Sequence, residues 1–480
     1  MQTRNKRLSD DEFFAEREKV LTTWPTGQHV DLDEAIEYHR GIPANRVYAS
    51  VLDRARKTGT PLNYTYNGTP VLEWQIDLIR HLRTEGGAGL LTTHVDSFTR
   101  NQMFDKAASA LKESQTAGKA LLNGFPIPIQ GVEACRKLVE SVDTAIMISG
   151  TTCDWRFTQE VGLAGGHTAS TGDPFFPFFC YSKTTPLETS IRNWQYVYRL
   201  RGLYEEKGCP IVSKPDGTEC ALCPPSLEDA LRIISYLIAA EQGCKHFICN
   251  MVAGCNLAQD VAEALTLPKL AREYLDRFGY TDTVLYGGIQ SWNGRYPSDR
   301  SAAYIVCLTA PIVALLGKLQ ASCLFTIDEA HEIPTREGHT ATLKCANMLV
   351  NMLKDQKFDI ANDQVRIEAE MNELEVRAIL EKVLELGDGD VAVGAVRAVN
   401  AGVLDTPFST SRYATRQVLG VRDAEGAGRY LDTGNLPLPK YVQDYHREKI
   451  RERARKQGSE VSYDTVVKDI LSISEGYLVA

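Results

Sequence analysis

From Pro61 onward the chain alternates short apolar runs with amphipathic helical stretches, and the rhythm persists to about residue 326. Nine candidate strands can be read: Leu62 to Tyr66, Gly89 to His94, Ala120 to Gly124, Thr144 to Ser149, His167 to Ser170, Thr218 to Leu222, His246 to Asn250, Thr283 to Tyr286 and Ala321 to Thr326. Between them lie helical stretches such as Val71 to Arg83, Gln102 to Glu113, Val132 to Ser141, Leu187 to Glu206, Ser226 to Gln242, Leu257 to Phe278 and Asp299 to Leu319. Strand, helix, strand repeated this often means parallel strands with crossover helices. The regularity and size favour a (β/α)8 TIM-type barrel over an open doubly wound sheet, which needs a Gly-rich nucleotide turn that the sequence lacks. Nine candidates are one more than such a barrel takes.

The expected organisation is an N-terminal helical extension over residues 1–60, the α/β barrel carrying the site over 61–338, and a C-terminal helical and irregular region over 339–480. Ser9-Asp-Asp-Glu-Phe13 opens the first helix with a capping residue and an acidic first turn. Trp24-Pro-Thr-Gly27 breaks the chain before a second helix from Asp31 to Arg40. Beyond the barrel, helices are expected over Ala341 to Lys357, Asp363 to Leu386, Val442 to Lys456 and Asp464 to Ser472, with an irregular Gly/Pro/Asp-rich stretch from Gly402 to Pro439.

Bulk composition excludes several classes. A net charge of -9 argues against a nucleic-acid-binding face. The basic run His446 to Lys456 has helical spacing and reads as a solvated helix face. The N-terminus is charged without an apolar core, as expected of a chain lacking a signal peptide. The longest apolar stretch, Ala302 to Leu316, is too short for a membrane span. Twelve cysteines, mostly isolated, imply reduced thiols and a cytoplasmic location. Only Cys220 and Cys223 form a CxxC, with no second pair at zinc-site spacing.

The stretch Ile146 to Tyr181 stands out. It reads as a strand, a helix from Asp154 to Leu163 capped by Asp154 and stopped by Gly165 and Gly166, and a second strand. An aromatic loop follows with Phe175, Phe176, Phe178, Phe179 and Tyr181. Such a cluster either plugs the end of a core or lines a binding surface.

In a barrel the active site lies at the C-terminal strand ends. Residues after the candidate strands include Tyr66, Asn67 and Gly68; His94, Asp96 and Arg100; Asn123 and Gly124; Ser149 and Gly150; Thr171; Asn250 and Cys255; and Asp328, Glu329 and His331. Asp328, Glu329 and His331 form a candidate general-base cluster or metal corner, and equally a hydrogen-bonded loop. There is no Gly-x-Ser-x-Gly elbow, no P-loop and no obvious carboxylate pair for hydrolysis. A wide mouth with few ionisable groups and several glycines suits a large flat ligand that carries the chemistry itself.

Asp10-Asp-Glu-Phe13 with Trp24-Pro-Thr-Gly27, Asp96 to Arg100, Leu122-Asn-Gly-Phe-Pro126, Ala164-Gly-Gly166, Trp194-Gln-Tyr196, Ala240-Glu-Gln-Gly243, Ile333-Pro-Thr335 and Tyr430-Leu together resemble the large (epsilon) subunit of glutamate mutase, also called methylaspartate mutase. The resemblance runs nearly end to end. It implies a cytoplasmic, adenosylcobalamin-dependent radical mutase with a barrel fold. It also implies a homodimer of this chain, paired with a small cobalamin-binding subunit whose Asp-x-His-x-x-Gly motif supplies the cobalt ligand. None of this chain's nine histidines stands in that motif, so no metal ligand is expected from it.

By the same resemblance, the coenzyme positions are Gly68, Asn123, Cys180, Tyr296, Phe325, Glu329 and Ile333. Gly68, Asn123, Glu329 and Ile333 match the family, while Tyr296 replaces a phenylalanine, Phe325 a lysine and Cys180 a proline. The substrate positions depart further. Of three arginines only Arg100 remains, the others being Tyr66 and Ser149; Gly150 replaces a histidine, Thr171 the carboxylate that meets the substrate ammonium, and Pro177 a tyrosine, while Tyr181 is kept. Tyr and Ser cannot reproduce the arginine fork. The substrate is therefore expected to be a less charged or bulkier small-molecule acid with one carboxylate, in a pocket with Tyr66, Trp155, Phe175, Phe176, Phe178 and Phe179. The alternatives are true glutamate mutase with a rearranged claw, a cobalamin-binding paralogue without catalysis, and a cofactor-free lyase using Asp328, Glu329 and His331.

Overall fold

The computed structural model describes residues 3–218, 222–331 and 333–480. Eight strands form one parallel sheet: β1 (Leu62–Thr65), β2 (Leu91–His94), β3 (Ile146–Ser149), β4 (Ala169–Thr171), β5 (Val212–Lys214), β6 (His246–Val252), β7 (Val284–Gln290) and β8 (Ala321–Leu324). The order β1-β8-β7-β6-β5-β4-β3-β2 brings the two ends together, with Leu62 paired to Ala321 across β1 and β8. The ring closes where Gly89 N–H donates to Asn63 O (2.9 Å) and His94 N–H to Asn67 O (2.8 Å). The fold is a (β/α)8 barrel.

Two expected strands are corrected. Residues 120–124 form a turn and loop, although Leu122 and Phe125 are buried there. The strand expected over Thr218 to Leu222 is absent at its described ends, and its centre lies outside the described residues. The barrel uses Val212–Lys214 instead, a three-residue strand carrying Ser and Lys, too short and polar to stand out as an apolar run.

Inward-facing strand residues Tyr64, Met147, Ala169, Val212, Ile248, Tyr286 and Cys323 fill the barrel interior. Helix Tyr48–Thr58 packs Tyr48, Val51 and Leu52 into the same cluster. Tyr48 N–H donates to Thr168 Oγ1 (3.0 Å), just before β4, which sets this helix under the N-terminal strand ends. The bottom is thus closed by segments preceding β1, and the C-terminal end is left as the mouth. The capping expected at Ser9 is present, with Ser9 and Glu12 bonded reciprocally.

The aromatic stretch is a short helix, Phe175–Cys180, rather than a loop. Its start is capped by Asp173, whose Oδ1 accepts the N–H groups of Phe175 (2.7 Å) and Phe176 (2.9 Å). The preceding helix is Arg156–Ala164, and Asp154 pairs with the Arg156 side chain (2.7 Å) instead of serving as its N-cap. Beyond the barrel, helix Asp363–Leu386 lies against Ser226–Glu241 and Leu257–Arg277, with Ser226 Oγ donating to Glu375 Oε2 (2.6 Å). The stretch expected to be irregular contains an antiparallel hairpin, β9 (Val418–Arg422) and β10 (Gly428–Thr433). Among the described residues no helix is long and apolar enough to cross a membrane, and the eleven described cysteines are unpaired.

Candidate active site at the barrel mouth

Every strand contributes a residue to one cavity of about 140 Å3 at the mouth: Tyr66 after β1, His94 of β2, Gly150 after β3, Thr171 of β4, Asp216 after β5, Asn250 of β6, Gln290 of β7 and Phe325 after β8. Arg100, Phe176, Tyr181 and Asn293 also line it. Arg100 ends the helix Ser97–Arg100, which is capped by Asp96 accepting from Thr99 N–H (2.9 Å). Its guanidinium lies 5.7 Å from the Tyr181 ring centre, and its Nε is buried with no hydrogen-bond partner among the described residues. Gly150 makes this packing feasible. Its φ is +117°, and a Cβ there would come within 3.2 Å of Arg100 Cδ and 3.6 Å of the Trp155 ring.

A second, larger cavity of about 580 Å3 adjoins the first. It is lined by Gly68, Asn123, Glu329 and Ile333, and shares Tyr66, His94 and Phe325 with its neighbour. Those three rings are the partition, with Tyr66 5.9 Å from His94 and 6.2 Å from Phe325 between centroids. Gly68 is forced by crowding, since a Cβ would stand 2.4 Å from His94 O. Glu329 opens at the cavity mouth, where partial desolvation pushes its carboxyl above the ordinary range. His94 is held neutral: burial and then the Arg100 charge push it down to about 3, and its Nδ1 lies 3.2 Å from Ser149 Oγ.

Several expected site residues serve elsewhere. Ser149 is fully buried and lies behind the cavity as the partner of His94. Thr171 reaches the cavity, but its hydroxyl donates to Gly150 O (2.8 Å) and accepts from Gly150 N–H (3.0 Å). Pro177, Cys180 and Tyr296 do not line either cavity. Pro177 is buried in its helix, Cys180 Sγ sits 3.7 Å from Thr218 Oγ1, and Tyr296 backs Phe325 at 6.2 Å. Of the aromatic residues expected in the pocket, Phe176 lines it with Tyr66, whereas Phe175, Phe178, Phe179 and Trp155 are packed in the main core.

The cluster of Asp328, Glu329 and His331 does not converge. Burial raises Asp328, but the Thr335 hydrogen bonds and the Arg300 charge bring the net shift down; its Oδ2 accepts from Thr335 N–H (2.9 Å) and Oγ1 (2.6 Å). His331 Nε2 lies 2.9 Å from Ser298 O. Asp328 thus anchors the start of helix Arg336–Leu353, and only Glu329 faces the cavity. Among the described residues no three His, Cys, Asp or Glu side chains converge as a metal site.

Sequence reasoning missed a polar relay across the mouth. Lys214, the last residue of β5, has a fully buried side chain whose Nζ contacts Asp216 Oδ1 (2.8 Å) and the Tyr66 hydroxyl (3.0 Å). Tyr66 donates to Gln290 Oε1 (2.7 Å), and Gln290 Nε2 donates to Asn293 Oδ1 (2.7 Å). The available signal was Lys214-Pro-Asp-Gly217 directly after the apolar pair Ile211-Val212, a strand ending in a turn.

A barrel whose eight strand ends converge on two joined cavities, one centred on an arginine and the other on a glycine-floored cleft, belongs to the class of barrel proteins with a ligand site at the mouth. Comparison with known sequences makes this specific. Residues 42–480 match the family model described as methylaspartate mutase E chain (MutE). The chain is 39% identical to the glutamate mutase epsilon subunit of Desulfitobacterium hafniense (strain Y51) over 480 residues, spanning 100% of this chain and 99% of that one. It is 36% identical to that of Treponema denticola over 481 residues, again covering 100% and 99%, and 36% identical to that of Haloarcula marismortui, covering 99% and 96%. The chain belongs to the methylaspartate mutase E chain family.

Proposed function

We propose that this chain is the large subunit of an adenosylcobalamin-dependent carbon-skeleton mutase, acting on an acid less charged or bulkier than glutamate. The observation that carries the reading is the pair of adjoining cavities at the strand ends, found in a chain whose relatives are named glutamate mutase epsilon subunit. The larger cavity suits the coenzyme. Gly68 lets a flat ligand reach the backbone, Asn123 and Ile333 flank it, and Glu329 offers a carboxylate to ribose hydroxyls. When bound, adenosylcobalamin supplies a carbon-centred radical that abstracts a hydrogen from the substrate. The remaining work belongs to the chain. Arg100 binds the substrate carboxylate, and the rings of Tyr66, His94 and Phe325 hold the substrate beside the coenzyme while limiting water. The cobalt ligand comes from a small partner subunit with an Asp-x-His-x-x-Gly motif, and two copies of this chain form the core of the assembly.

The substrate reading rests on Tyr66, Ser149 and Thr171. None offers a charge, and the hydroxyls of Ser149 and Thr171 are engaged with His94 and Gly150. A buried dicarboxylate would find Arg100 for one end only, and an unpaired buried carboxylate costs several kcal/mol. A second reading, glutamate itself, is favoured by the names of the relatives and by Lys214 as another cation near the cavity. Lys214 is already paired with Asp216, which ranks that reading second.

The test is a cob(II)alamin electron-spin signal from the chain assembled with its small subunit and coenzyme. A signal on adding a monocarboxylic acid supports the proposal. Silence with every acid, despite bound coenzyme, supports a paralogue without catalysis.

A further inference from the structure

The relay across the mouth runs from Lys214 toward Asn293. An ammonium group has three donors and no acceptor, so Lys214 must donate to the Tyr66 oxygen (3.0 Å). Tyr66 in turn donates to Gln290 Oε1 (2.7 Å). This places Gln290 Nε2 toward Asn293 Oδ1 (2.7 Å) and leaves Asn293 Nδ2 as the terminal donor. That nitrogen is buried with no hydrogen-bond partner among the described residues, and Asn293 lines the cavity. At the other end of the relay, Asp216 also lines the cavity; its Oδ1 meets Lys214, and its backbone N–H is anchored on Asp173 Oδ2 (2.7 Å).

This wall is electrically balanced, Lys214 against Asp216, and presents both kinds of hydrogen-bonding group: a carboxylate that can only accept and an amide that can only donate. A second substrate carboxylate would satisfy Asn293 but would face Asp216 with like charge. An ammonium would satisfy Asp216 but leave Asn293 unpaired. A neutral carboxamide carries the complement of each, an oxygen that can accept from Asn293 and an NH2 that can donate to Asp216, both of which line the cavity. Arg100, which carries no ion pair among the described residues, takes the single carboxylate.

We infer that the substrate is a monocarboxylic acid whose second polar end is a neutral carboxamide, with Lys214, Tyr66, Gln290 and Asn293 as the specificity-determining relay. This deepens the proposed function and rests on it.

The test is equilibrium dialysis of labelled L-glutamine and L-glutamate against the chain assembled with its small subunit. The two probes have nearly the same shape and differ in the charge of one end. L-Glutamine is expected to bind at least tenfold more tightly than L-glutamate. Tyr66→Phe severs the relay while keeping the Lys214–Asp216 pair, and is expected to reduce that preference to less than threefold. Lys214→Met should do the same, with thermal melting used to check its fold. Equal or tighter binding of L-glutamate, retention of neither probe, or an undiminished preference in Tyr66→Phe overturns the inference. Coenzyme uptake, read from visible absorbance of the same complex, reports separately on the proposed function.

Discussion

The hydroxyl of Thr171 is bound twice to Gly150, donating to its carbonyl at 2.8 Å and accepting from its N–H at 3.0 Å. The contact joins the end of β4 to the turn after β3, beneath the approach of Arg100. Thr171 therefore holds the cavity floor. Thr171→Val keeps the shape but leaves two backbone groups without their partner, at about 1–3 kcal/mol each. We expect a lower melting temperature with weakened substrate binding; unchanged melting would show that the two bonds carry no weight.

Arg100 is expected to matter for binding and little for stability. It carries no ion pair among the described residues, and its Nε is unpartnered. Arg100→Lys keeps the charge but loses the bidentate fork, which should weaken carboxylate binding by roughly 10- to 100-fold while stability changes by under about 1 kcal/mol. Calorimetric binding and thermal melting measure the two effects separately.

The larger cavity offers a contrast between two positions. Glu329 is exposed at the mouth, so Glu329→Gln should melt like the unaltered chain and bind coenzyme about tenfold more weakly. Gly68→Ala should lose both, because the new methyl group would sit 2.4 Å from a backbone oxygen of β2. Absorbance titration with coenzyme, alongside melting, distinguishes these outcomes.

Four buried histidines oppose folding in acid before the ordinary carboxylates titrate. Burial pushes His39, His167 and His339 down to about 4, and His94 to about 3, from an ordinary 6.5. The unfolded chain binds protons at these positions first, so their contribution is complete above pH 6.5 and drains as pH falls, by about 1.4 kcal/mol per histidine per pH unit. Burial raises Asp173 to about 6 and Asp260 to about 7, and it also raises Asp96, Glu160, Asp229, Glu263 and Glu329; these carboxyls act in the opposite sense. The histidine contribution is therefore read by comparison: between pH 6.5 and pH 5, His39→Gln should lose less melting temperature than the unaltered chain. Equal slopes in the two proteins would show that His39 carries no such penalty.

The barrel was legible because its strands are apolar runs between long amphipathic helices, and helix Leu187–Glu206 begins and ends where the periodicity puts it. β5 was not, because three residues including Ser213 and Lys214 carry too little apolar signal. That one displaced strand hid Lys214, and with it the relay through Tyr66. The hairpin of β9 and β10 was hidden by its Gly and Asp content, which reads as loop. Residues such as Arg100 and Gly68 could be found from strand-end position. The engagement of Ser149 with His94 and of Thr171 with Gly150 could not, because both contacts form only once β2, β3 and β4 are set side by side. Phe178 and Phe179 show the same limit, since sequence alone cannot separate a ring lining a cavity from one plugging the core beside it.

The proposed function sets a mutase scaffold around a pocket no longer built for glutamate. The most direct measurement is turnover of L-glutamate to 3-methylaspartate by this chain assembled with its cobalamin-binding subunit and adenosylcobalamin, followed by chiral chromatography. We expect no turnover above background, with coenzyme bound. Turnover at a rate ordinary for such enzymes, about 1 s⁻¹ or more, would contradict it.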